Sequence, residues 1–100
     1  MSGRYILNGA GEPERCDDLL MWAQWFEHND TTRILLQTTL PDDVRVSTVF
    51  LGLDHSFGHG RPLLFETMVF GGPHDGRQER YATRADAAVG HGQMIEKVLE

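Results

Sequence analysis

From position 44 to 70 the chain alternates apolar and polar residues with a period of two, interrupted once by the polar stretch DHSFGHGRP. In residues 44–53, Val44, Val46, Thr48 and Phe50 fall on one side. Arg45, Ser47, Val49 and Leu51 fall on the other, because successive strand side chains point to opposite faces. The second set begins polar and turns apolar, which predicts a central strand half exposed at its start. Residues 63–70 answer it, with Leu63, Phe65, Thr67 and Val69 on one face and Leu64, Glu66, Met68 and Phe70 on the other. Residues 31–39 form a third β-branched and aliphatic run, ended by the turn-forming Pro41-Asp42-Asp43. Residues 4–8 read as a short first strand, 9–14 as a turn, and 78–82 as a short edge strand beyond the Gly71-Gly72-Pro73 stop.

Two stretches carry helical spacing instead. In residues 17–28, DDLLMWAQWFEH, Asp17 and Asp18 favour the positive end, and His28 with Asn29 marks the exit. Leu19, Trp22, Ala23 and Phe26 share a face by their spacing of three and four. Met21 and Trp25 fall off that stripe. They either tuck under a loop or the sheet edge, or remain on a contact surface of the kind where Trp is enriched. Thr83 is a good N-cap, with Asp86 at the third position after it, and the helix runs from Arg84 to about Leu99. Its predicted apolar stripe is Ala85, Ala88, Val89, Gly92, Ile95 and Leu99. Gly90 and Gly92 each cost a helix about 1 kcal/mol against Ala, which predicts close approach to a neighbour or a break near Gly90.

Neighbouring strands with short connections pair antiparallel, and two apolar helices need a sheet face to cover. The expected fold is α+β: a four- or five-stranded, mostly antiparallel sheet with two helices packed on one face. At 100 residues it forms a single domain, 1–100. The other sheet face, with Val49 and Leu51, is apolar enough to seek a partner, such as a second copy in a homodimer.

Composition adds limits. A chain 40% hydrophobic and 24% charged is ordinary for a globular protein, so disorder is not expected. The formal charge of −6 argues against direct nucleic-acid binding, which needs clustered Lys and Arg. It suits a basic partner, or a polyanion mimic if folding gathers Asp17, Asp18, Asp42 and Asp43. Cys16 is alone, so no intrachain disulfide forms and a reducing compartment fits. The start, MSGRYILNGAGEPER, lacks the apolar run of a signal peptide. No segment approaches the roughly 18 apolar residues of a membrane span. The expectation is a soluble, cytoplasmic protein with no membrane partner.

The candidate chemistry sits in the polar stretch. Asp54, His55 and His59 lie within six residues, and Glu66 and His74 come near if the flanking strands run side by side. His and carboxylate ligands suit zinc or another transition metal, which gives Asp54, His55, His59 and His74 as an alternative metal set. A His beside a carboxylate suits acid–base work, which gives Asp54, His55 and Glu66 as alternative catalytic groups. The competing reading is a hairpin loop in which Asp54 bonds backbone amides. Gly58, Gly60 and Pro62 forbid the helix that would place two His on one face. Glu66 needs a partner such as Arg45 or Arg33 if buried, and His91 reads as a surface or satisfied core group. No G-x-G-x-x-G, Walker loop, C-x-x-C, H-E-x-x-H or G-x-S-x-G occurs. The favoured reading is therefore non-enzymatic, with no cofactor and with Met21, Trp25, Val49 and Leu51 as partner-binding residues.

The runs VSTVFLGLDHSFGHGRPLLFETMVFGG, QERYATRADAAVGHGQMIEKV and CDDLLMWAQWFE together resemble a family of small uncharacterised phage and prophage proteins. The resemblance implies an accessory protein acting in a bacterial host, possessing a host or phage protein as partner. By analogy of gene type, an inhibitor of a defence complex such as a CRISPR effector is expected.

Overall fold

The computed structural model describes residues 3–100. A hairpin of β1 (Tyr5–Leu7) and β2 (Pro13–Arg15) precedes helix α1 (Leu19–His28). Then come β3 (Ile34–Leu40), β4 (Val44–Phe50), β5 (Phe65–Phe70), β6 (Gln78–Tyr81) and helix α2 (Arg84–Leu99). Strands β3 to β6 form one antiparallel sheet in sequence order, and β1 pairs β2 in a separate two-stranded sheet. The fold is α+β, as expected. The stretch read as a turn before α1 is a hairpin, because the Asn8 side chain accepts from the N–H groups of Ala10 and Glu12 and folds β2 back on β1.

The alternation of β4 and β5 sets the core. Val46 lies opposite Val69, Thr48 opposite Thr67 and Phe50 opposite Phe65, so all six point inward, and all are fully shielded. Phe50 belongs to one cluster with Leu7, Leu64, Phe65 and Ala87 of α2, and Trp25 of α1 packs on the same cluster. Both helices therefore lie on the Phe50 side of the sheet. A second cluster joins Val44, Val46 and Val69 to Met94.

Helix α2 starts where expected, with the Thr83 hydroxyl accepting from Asp86 N at 3.0 Å. Its buried stripe differs from the predicted one. Ala87, Gly90, His91 and Met94 face the sheet, while Val89 and Leu99 stand outside at about 60% exposure. Two contacts turn the helix this way: a glycine fit against Tyr81 and a pair of bonds from His91. A Cβ on Gly90 would lie 2.2 Å from the Tyr81 hydroxyl and 2.3 Å from its ring, whereas one on Gly92 would meet open space. The helix is unbroken at Gly90.

Candidate functional site

The polar stretch closes as a compact loop. Asp54 accepts from Ser56 N at 2.8 Å, from the Ser56 hydroxyl at 3.0 Å and from Leu63 N at 3.0 Å. Burial works to raise its pKa. The two bonds from Ser56 and the one from the Leu63 backbone outweigh that, and the carboxyl sits below its ordinary range. The Nδ1–H of His55 donates to the Leu53 carbonyl at 2.9 Å, and its ring meets Phe57 edge-on. His59 is exposed. His74 lies in the β5–β6 connection, where its Nδ1 accepts from Arg77 at 3.2 Å. Glu66 is bound by Arg80 Nε at 2.9 Å. Its partner is Arg80 rather than Arg45 or Arg33 because Arg80 stands opposite it in register on β6. Thus Asp54 holds the loop together, and Glu66 is engaged across the strands. Among the described residues no three of His, Cys, Asp and Glu gather as a metal site.

Helix α1 presents a different surface. Its inward side is Trp22, Trp25 and Phe26. Trp22 Nε1 donates to the carbonyls of Tyr5 and Gly52, both at 3.1 Å. Trp25 meets Phe50 edge-on with centroids 5.9 Å apart. Phe26 lies beneath the Arg33 guanidinium at 3.6 Å and presses on Gly52, whose φ of +77° and close ring leave no room for a Cβ. The stripe is thus rotated from the expected one, with Trp25 among the packing residues. At 100° per residue the opposite side holds Leu20, flanked by Leu19 and Met21. Leu19, Leu20 and Met21 are 60%, 68% and 56% exposed, and no residue of α1 is fully buried. Met21 was singled out by the sequence. Leu20 had a legible signal too, since three consecutive large apolar residues at a helix start cannot all face one core.

The outer sheet face is more polar than the alternation implied. Ser47 is buried, and Val49 and Met68 are half-buried. Longer neighbours on this face include the Glu66–Arg80 pair and Arg45, whose guanidinium lies 4.9 Å from the Phe70 ring centroid. Leu51 is half-buried just past the end of β4.

His91 is the satisfied core group that the sequence allowed, with partners that were not legible, and one cleft gave no signal. His91 bridges helix and sheet: Nδ1 meets the Thr48 hydroxyl at 2.7 Å and Nε2 the Thr38 hydroxyl at 2.9 Å, while Thr48 also bonds Thr67. Burial holds this imidazole below its usual pKa. A cleft of about 290 Å³ between the β1–β2 hairpin and the start of α2 is lined by Tyr5, Glu12, Arg61 and Arg84. Arg84 there donates to the Gly11 carbonyl at 2.8 Å and ties the hairpin to α2. These partners lie far apart in sequence, so spacing gave no sign of either.

No protein-family model, curated protein or solved structure matches the chain. Among the described residues no helix is long and apolar enough to cross a membrane.

Proposed function

We propose that the chain is a non-enzymatic binding protein of phage or prophage origin, and that it docks a protein of the bacterial host through the outward side of α1. The exposure of Leu19, Leu20 and Met21 on successive positions supports this reading. Fully burying a side chain of this size is worth roughly 1.5–3 kcal/mol. Three together supply a useful fraction of an affinity even after the cost of ordering. The exposed Asp17, Asp18 and Glu27 border the patch, and the net charge is −6. Both favour a partner with a basic rim. Complexes that grip nucleic acid carry such surfaces, which fits a defence complex such as a CRISPR effector in the host cytoplasm. The acid–base alternative has less support, because Asp54 and Glu66 already serve Ser56, Leu63 and Arg80.

The test is affinity capture from a bacterial host lysate, read by mass spectrometry, with wild type beside the Leu20→Glu/Met21→Glu double variant. A protein retained by wild type and lost by a folded double variant is the expected result. Equal retention by both would remove α1 as the contact surface.

A further inference from the structure

The free edge of β3 carries little protection. Among the described residues β3 has β4 on one side and no strand on the other. Unpaired N–H and C=O groups on such an edge template another strand, and proteins usually blunt them with charge, proline or short length. The opposite edge obeys this: β6 has four residues, including Glu79 and Arg80. β3 has seven, ILLQTTL, and alone among the four strands holds no charged side chain, in a chain of net charge −6. Its one irregularity lies between Ile34 and Leu36, leaving the remainder regular.

The hydrogen-bond phase is also determined. Phe50 N donates to Arg33 O and Leu51 N to Leu64 O, both at 2.7 Å, so Val44, Val46, Thr48 and Phe50 are the β4 residues whose main chain faces β3. Their register partners Leu36, Thr38 and Leu40 are then committed to β4. The main-chain groups of Gln37 and Thr39 point outward from the sheet.

We propose that a second copy of this chain pairs along β3, antiparallel about a two-fold axis at Gln37, joining two four-stranded sheets into one. Self-complementarity selects this occupant. The register sets Gln37 opposite its own copy and Leu36 opposite Thr38, and β3 holds no charged residue, so no like charges meet within the strand. One patch serves both protomers, as a two-fold interface requires. Leu36, 41% exposed, loses water on pairing. This inference stands apart from the α1 surface and needs no host partner.

Sedimentation velocity over a range of concentrations tests it on wild type, Gln37→Lys and Gln37→Pro. Wild type is expected to reach twice the 11.3 kDa chain mass. Gln37→Lys sets like charges face to face, and Gln37→Pro deletes only an outward N–H, so both are expected to stay monomeric with near-native melting. Gln37→Cys is expected to cross-link under mild oxidation, because hydrogen-bonded antiparallel partners lie about 5.5 Å apart, within disulfide reach. Wild type, whose single Cys16 is buried, stays uncross-linked. Should Gln37→Pro fail to fold, Gln37→Lys and Gln37→Cys decide. A wild-type monomer at every concentration, or a dimer that Gln37→Lys leaves intact, overturns the proposal.

Discussion

Gly90 and Gly92 sit two residues apart on α2, yet adding a methyl group to each is expected to move stability in opposite directions. At Gly92 a Cβ meets open space, so Gly92→Ala gains only helix propensity, about 1 kcal/mol. At Gly90 the same Cβ would lie 2.2–2.3 Å from the Tyr81 hydroxyl and ring, where carbon atoms rest about 3.5–4.0 Å apart. The ring or the helix must move by more than an ångström. Tyr81 packs on the cluster around Phe50 and Phe65 and pairs in register with Phe65, so it is held from behind. Overpacking costs of about 1–3 kcal/mol are typical. Given the closeness of this approach we take the upper half, and after the propensity gain Gly90→Ala is destabilised by about 1–2 kcal/mol. For a chain of this length each kcal/mol moves the melting temperature by about 4–8 °C. Far-UV circular dichroism melts should therefore show Gly92→Ala above wild type and Gly90→Ala below it. In a Tyr81→Ala background the Gly90→Ala penalty should vanish, because the two residues are directly coupled. A Gly90→Ala protein as stable as wild type would refute the fit on which α2 rests.

Further expectations follow from the same geometry. Because burial depresses the His91 pKa, the unfolded chain takes up protons first as pH falls; stability is full above about pH 6.5 and drains below it. Denaturant midpoints compared between wild type and His91→Gln should diverge in slope across that window, and parallel curves would show that His91 does not titrate there. Thr48→Val removes the hydroxyl shared by His91 and Thr67 and should cost about 1–3 kcal/mol. Asp54→Ala should cost about 1 kcal/mol and open residues 55–62 to limited proteolysis; an equally resistant loop would mean that its bonds to Ser56 and Leu63 do not hold it. Leu20→Glu/Met21→Glu should leave the chemical-denaturation midpoint within about 0.5 kcal/mol of wild type, since both side chains are already in water.

The fold was legible where local chemistry and tertiary contacts agree. The Val44–Val46–Thr48–Phe50 alternation, the Pro41-Asp42-Asp43 turn and the Thr83 cap all use short-range rules, and each stands as read. Both helix stripes were misphased, for one reason: hydropathy weights a residue by its own apolarity, not by what it fits. Val89 and Leu99 lost their places to Gly90 and His91, chosen by Tyr81 and two threonine hydroxyls. Leu19 and Ala23 lost theirs to Trp25, chosen by Phe50. The hairpin at Pro13–Arg15 was hidden because its strand is polar and its pairing depends on the Asn8 side chain. Candidate site residues were legible only as types. That Asp54 serves its own loop, and that Glu66 faces Arg80, depends on register and loop closure, which residue spacing does not encode.

Hydrogen–deuterium exchange on the protein, alone and in complex with a host protein recovered by the capture experiment, tests the proposed function most directly. The account predicts slowed exchange through α1, centred on Leu19–Met21, with residues 54–62 unchanged. Slowed exchange confined to residues 54–62, with α1 exchanging as in the free protein, would contradict it.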